Sequence, residues 1–392
     1  MIERKQIVGK ALAIAPLSSA LLLATTFSVA AQTSEDAASD HGDPTISVQE
    51  QSVTGGARGW SRSQIERARP FPMPEARIDE PGTKKEMRPT GEVVTHPPGE
   101  PSVTEPMSRM EDRDASNPIS HQTVRETDSE EPSMMSSSGQ PFTSVRAGPR
   151  LITREFPHRA VGKLFFSTPD GNFVCSAAAI SRRLIITAAH CVYDADEEEF
   201  YSNFRFFPAY DGTKHFLTPY CQWGWSRAIV PREYDGSVVG EYDFAIIQPR
   251  DRDCRRYQTR TMGEITGWLG FSTNLLVGNN ITQLGYPVNL DGGQLMQSTH
   301  SDVVQRSGTI GEIGSAQSGG TSGGPWVQNF GNFADGMVPI GDNGFDALQR
   351  VVGVSSYGRR PHDTNQVSGA SGLNFAWTRI WETACDWRAD NC

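Results

Sequence analysis

An all-β fold, either sandwich or barrel, is what the sequence predicts for residues 151–392, with a long disordered segment ahead of it. Two observations carry this expectation. Short runs rich in β-branched and aromatic residues recur beyond position 160 with turn residues between them, the rhythm of antiparallel sheets rather than of βαβ units. Composition also changes sharply near Leu151, since all six cysteines and seven of the eight tryptophans lie beyond it. At roughly 100–200 residues per domain, 392 residues leave room for one large domain plus tails.

Taken in order, the chain starts with a signal-peptide pattern over residues 1–31. Arg4, Lys5 and Lys10 outweigh Glu3, the run Ala11 to Ala24 is apolar, and small residues from Ser28 to Ala31 offer a cleavage site after Ala30 or Ala31. The same stretch is about long enough to span a bilayer, but its short apolar core and small-residue end fit cleavage better. Export is therefore expected, to a secreted or periplasmic location. Residues 32–150 then hold 14 of the 25 prolines, no cysteine and three aromatics, Trp60, Phe71 and Phe142. So little apolar surface cannot offset the entropy of ordering 119 residues, so this stretch is expected to be a disordered, acidic propeptide or linker. A short helix capped by Ser61 is expected within it, over Ser61 to Arg69.

Strands are expected at Val161–Ser167, Phe173–Ile180, Leu184–Thr187, Asn203–Phe207, Asp243–Gln248, Ile281–Tyr286, Val351–Ser356 and Leu373–Thr378, with a helical tail over Thr378–Trp387. The formal net charge of −10 argues against a general nucleic-acid binder, which needs basic residues to replace phosphate counterions. Six cysteines in an exported chain point to disulfides.

Three segments carry chemistry. In Thr187-Ala188-Ala189-His190-Cys191 a strand ends in small residues that leave an imidazole open. In Tyr242-Asp243-Phe244-Ala245-Ile246-Ile247 an acid stands at the mouth of an apolar strand, where a partly buried carboxylate suits holding a histidine in one tautomer. In Gly319-Gly320-Thr321-Ser322-Gly323-Gly324-Pro325-Trp326 a serine is flanked by glycines, whose backbone freedom lets successive amides converge on one oxygen. No C-x-x-C or H-x-x-x-H pair suggests a metal site, so neither metal nor other cofactor is expected.

These motifs, with Leu284-Gly285-Tyr286-Pro287, resemble those of the chymotrypsin-like serine endopeptidases, in particular the bacterial secreted branch that includes glutamyl endopeptidase-like enzymes. The resemblance runs from roughly Phe156 to Trp387 and meets the family's order of His, Asp, Ser. It implies two perpendicular six-stranded β-barrels with a short C-terminal helix. It also implies His190 as general base, Asp243 as its orienting acid, Ser322 as nucleophile, and the amides of Gly320 and Ser322 as oxyanion hole. By the same resemblance Cys175 pairs with Cys191. Cys385–Cys392 is the next expected pair, which leaves Cys221–Cys254. Substrates would be proteins or peptides, with no nucleic-acid partner, no membrane association after signal cleavage, and a monomeric enzyme.

Departures from the family narrow the expectations. Thr321 stands where many members have an aspartate that pairs with a newly cut N-terminal amine, and no I-V-G-G-type start is found; Arg150 and Arg154 are the candidate cut points. Ala316 occupies the position of the basic-specific aspartate and Ser355 that of the glutamate-specific histidine. Ala316, Gln317, Ser355, Ser356, Tyr357 and Gly358 are therefore expected to line a neutral pocket for small or medium uncharged side chains. Two other readings compete. Gly320-Thr321-Ser322-Gly323-Gly324 also matches the nucleophile elbow of α/β-hydrolases, with Asp342 or Asp346 and His362 as partners. A catalytically silent relative serving as a binding module is the non-enzyme alternative.

Overall fold

The apolar runs after Ala160 form strands because their residues are buried on pairing, and the first six close on themselves. The computed structural model describes residues 59–76, 92–102, 141–148, 150–213, 219–251, 260–331, 348–359 and 367–392, together with 47–50; for 47–50 and 150–151 the backbone alone is described. The first six strands are β1 (Val161–Thr168), β2 (Gly171–Ala179), β3 (Ile185–Thr187), β4 (Ser202–Pro208), β5 (Trp223–Val230) and β6 (Ala245–Pro249). They pair antiparallel in the order β5-β4-β1-β2-β3-β6, and β6 returns to β5 through Arg227↔Gln248 and Ile229↔Ile246, which closes a barrel. A disulfide joins Cys175 on β2 to Cys191 just beyond β3.

The second sheet contains β7 (Asn280–Gly285), β8 (Gln297–Asp302), β9 (Ile310–Gly314), β10 (Pro325–Gln328), β11 (Arg350–Arg359) and β12 (Val367–Gly372). Its order is β9-β12-β11-β10-β7-β8. Together the sheets make an all-β structure apart from short helices, with one difference from the expected pair of closed barrels. Among the described residues no backbone ladder joins β8 to β9, so the second unit is a half-barrel. The cause is visible at β8, whose outer edge is taken by Phe142–Arg146, paired antiparallel from Gln297↔Arg146 to Ser301↔Phe142. Only side chains cross the gap, where Gln317 Nε2 donates to Thr299 Oγ1 at 3.0 Å.

The C-terminal helix spans Phe375–Asp386 and packs Trp377 and Trp381 against Phe271, with Trp377 also meeting Phe244 of the first unit. It begins earlier than expected. Leu373–Thr378 is not a strand, because Asn374 accepts from the Ala376 amide at 2.9 Å and caps the helix there. Cys385–Cys392 ties the helix end. Cys221 is also disulfide-bonded, while its expected partner Cys254 lies outside the described residues. The signal pattern of residues 1–31 lies outside them too. No helix among the described residues is long and apolar enough to cross a membrane.

The expectation of disorder across 32–150 is corrected at four places among the described residues. Ser47–Glu50 pairs with β5, Arg69–Pro70 with β2, Thr95–His96 with the short strand Gly270–Ser272, and Phe142–Arg146 with β8. Arg62–Arg67 is the expected helix, and Ser61 with Gln64 forms its capping box. Part of the segment's described stretch packs on the barrel's core. Trp60 is 4% exposed, packs tilted against Phe165 at 5.4 Å between centroids, and donates from Nε1 to the Asn203 carbonyl.

Candidate active site

Three chain segments converge between the two sheets. Beyond β3 the chain makes one tight turn, Ala189–Cys191, where Ala188 and Ala189 leave room for the imidazole and the disulfide fixes the turn. Asp243 precedes β6 and is 2% exposed. Its Oδ1 accepts from the His190 backbone amide at 2.9 Å, and its Oδ2 pairs with His190 Nδ1 at 2.7 Å. A third bond comes from Ser356 Oγ to Oδ2 at 2.5 Å. Burial alone raises the Asp243 carboxyl, but the His190 ring and these three donors outweigh it and hold the group below its ordinary value. An ionised carboxylate only accepts, so Nδ1 carries the proton and Nε2 of the neutral ring keeps a free lone pair.

Ser322 lies on the loop before β10. Its carbonyl accepts from the Ser176 amide at 2.8 Å, which links this loop to β2. His190 Nε2 and Ser322 Oγ are both buried without a hydrogen-bond partner, two unsatisfied polar atoms of the kind that collect where chemistry occurs. The amides of Gly320 and Ser322 are aimed by their neighbours. The Gly319 carbonyl accepts from Val288 N and the Thr321 carbonyl from Gly324 N, each at 2.8 Å, so the N–H on the far side of each peptide turns away from those bonds. Ser176 Oγ donates to the Gly320 carbonyl at 2.9 Å and fixes the loop further. Glycine is required at 320, where φ is +94° and a Cβ would lie 2.7 Å from the Tyr286 carbonyl.

Of the expected pocket residues, only some face the cleft. The cleft has a volume of about 210 Å³ and is lined by Phe71, Met73, Gln317, Gly319, Gly358 and Val367 among others. Ser355 does not line it; its Oγ is buried and accepts from Gln283 Nε2 and Trp326 Nε1, each at 3.0 Å. Ser356 supports Asp243, and Tyr357 is buried with its hydroxyl donating to Glu312 at 2.7 Å. Gln317 reaches the cleft, but its amide is spent on Thr299, Gln283 and Thr321. Ala316 is half-buried, with its amide bonded to Ser144 and its carbonyl to Asn289. Thr321, in place of the family's aspartate, donates to Gln317 Oε1 at 2.6 Å and so braces the pocket internally.

Sequence reasoning missed Ser176, which ties β2 to the Ser322 loop and which no motif marks. Asp342, Asp346 and His362 lie outside the described residues. The strands flanking Ser322 are antiparallel, unlike the parallel sheet an α/β-hydrolase elbow needs. Among the described residues one cluster has metal-type donors, Cys175, His190 and Cys191, and both its sulfurs are spent in the disulfide.

Residues 173–334 match the family described as Trypsin-like peptidase domain. The glutamyl endopeptidase of Bacillus licheniformis is 27% identical over 222 residues, which cover 55% of this chain and 62% of that protein. The chain thus spans less than two thirds of that relative's length. Among solved structures, the thermostable serine protease AL20 from an extremophilic microorganism is 23% identical with a TM-score of 0.48, covering 59% of this chain and 98% of its own. A Glu endopeptidase in complex with MPD is 18% identical with a TM-score of 0.45, covering 63% and 98%. Residues 173–334 are thus similar to a trypsin-like peptidase domain, and 222 residues of the chain are similar to a glutamyl endopeptidase.

Proposed function

We infer that this protein is an exported serine endopeptidase that hydrolyses internal peptide bonds of protein substrates through an acyl-enzyme on Ser322. The observation that carries the reading is the Asp243–His190 pair, with Nδ1 fixed at 2.7 Å, while His190 Nε2 and the buried Ser322 hydroxyl are both left without a hydrogen-bond partner. His190 Nε2 takes the Ser322 proton as Oγ attacks the scissile carbonyl, and Asp243 steadies the imidazolium. The amides of Gly320 and Ser322 hold the oxyanion. His190 then passes the proton to the leaving amine, and water cleaves the ester by the reverse path. The enzyme works as a monomer made with a signal peptide and an N-terminal extension that is removed to activate it, with Arg150 or Arg154 as cut sites. The disulfides agree with an oxidising compartment. Incubation with a fluorophosphonate followed by peptide mapping tests the reading. The adduct is expected on Ser322 alone; an adduct elsewhere overturns the assignment.

A further inference from the structure

The chain's own residues 70–76 cross between the two sheets and form one wall of the cleft. Arg69 and Pro70 pair parallel with Phe173 and Val174 on β2, and the Phe71 amide donates to the Val174 carbonyl at 3.0 Å. Four residues further on the same segment reaches the other sheet. The Gly358 amide of β11 donates to the Pro74 carbonyl at 2.9 Å, and the Ala76 amide donates to the Gly358 carbonyl at 3.0 Å. Between these anchors the segment passes over the loop that carries Ser322. A Cβ on Gly319 would lie 3.4 Å from the Phe71 carbonyl, and one on Gly320 would lie 3.6 Å from Pro70 Cβ. The Phe71 ring lies nearly parallel to the His190 imidazole, 22° between planes and 6.1 Å between centroids. Phe166, Phe173 and Tyr201 surround its other sides at 5.4, 5.2 and 5.8 Å.

Resting on the endopeptidase reading, we propose that residues 70–76 are a resident inhibitor of the cleft, with Phe71 seated in an aromatic subsite beside His190, and that the full chain is held inactive until this segment leaves. An extended peptide that adds to exposed strand edges gains main-chain bonds, and a side-chain pocket then sets its register. Here the edges are β2 and β11, and the pocket is the shelf of Phe166, Phe173 and Tyr201. The segment is placed as an occupant and not as a substrate. Among the described residues no carbonyl of 70–76 accepts from the amides of Gly320 or Ser322, so none is polarised for attack. Its pairing is parallel at both edges, and parallel ladders are slightly weaker per residue than antiparallel ones. Those few bonds hold the cleft closed within one chain, where the effective concentration is high, and release it once the tether is cut.

The test compares the full chain with its Phe71→Ala and Phe71→Leu variants, reading fluorophosphonate labelling of Ser322 and turnover of an internally quenched peptide. Phe71→Ala is expected to label and turn over about ten-fold faster or more, because losing a packed phenyl ring weakens only the occupied state. Phe71→Leu should fall between it and the parent, which gives a second reading if the alanine variant folds poorly. A synthetic peptide of residues 67–78 added to the alanine variant should inhibit competitively, raising KM and leaving kcat unchanged. Equal labelling at Ser322 in all three chains, or a peptide that does not compete, overturns the inference and leaves the endopeptidase reading intact. Absence of both labelling and turnover in every chain overturns the endopeptidase reading instead.

Discussion

Replacing Asp243 by asparagine changes one atom in the site and removes the feature on which the mechanism depends. In the parent, Oδ1 accepts from the His190 amide and Oδ2 accepts from Nδ1 at 2.7 Å and from Ser356 Oγ. Asparagine keeps one acceptor for the backbone amide but presents an NH2 to Nδ1, so the ring shifts its proton to Nε2. The lone pair that should accept the serine proton is then gone. The expected loss in kcat is on the order of 10⁴-fold, roughly 5.4 kcal/mol of transition-state stabilisation. Folding should change far less, by no more than about 2 kcal/mol, because the carboxamide fits the same space and retains a bond. The pH dependence of that change has a definite sign. The folded-state value of Asp243 is depressed, so its contribution is present above the ordinary carboxylate value of 3.8 and is lost as pH falls through the lower folded value. The stability of the parent should therefore fall relative to the variant below about pH 4. The assay is steady-state peptide turnover on the Phe71→Ala background, with thermal melts at pH 3 and pH 7 alongside. A variant retaining a tenth or more of parental kcat would show that Asp243 does not set the His190 tautomer on which turnover depends.

Ser356→Ala should lower kcat by about ten-fold with little change in KM, since Ser356 bonds Asp243 rather than substrate; a large rise in KM alone would return Ser356 to the substrate pocket. Lys163, buried on β1 with its amine donating to the Gly293 carbonyl at 2.7 Å, has its pKa lowered by burial to about 7 from 10.5. The unfolded chain holds that proton up to the higher value, so stability of the parent should rise with pH from 7 toward 10, by at most about 1.4 kcal/mol per unit. Denaturant melts of Lys163→Met at pH 6, 8 and 9.5 should lack this slope, and an identical slope in both proteins would show that Lys163 is not its source.

The site was legible where its chemistry is written locally. Thr187–Cys191, Asp243–Ile247 and Gly319–Trp326 each hold one of the residues proposed to act within a few positions of the small or apolar residues that present it. The strands with β-branched runs were legible for the same reason, as β1 and β3 illustrate. β12 was not, because Val367-Ser368-Gly369-Ala370-Ser371-Gly372 has almost no β-branched signal. Its glycines serve packing, and a Cβ on Gly369 would lie 2.1 Å from the Tyr357 ring. The roles of Ser355 and Ser356 were misplaced because register decides which face a side chain takes, and sequence alone does not fix that register. Residues 59–76 and 142–146 were hidden for another reason. Their composition reports only that they build no core alone, whereas their order comes from edge pairing and from single aromatics, Trp60 and Phe71, set into surfaces made by distant residues.

Acyl transfer at Ser322 is open to direct test by an acylation burst. Mixing the Phe71→Ala chain with a slowly deacylating nitrophenyl ester should release nitrophenol in a fast phase of up to one equivalent per chain. Acid quenching and peptide mapping should then place the acyl group on Ser322, and Ser322→Ala should show neither burst nor adduct. Peptide turnover without any acylated intermediate, or an acyl group carried by another residue, would contradict the claim.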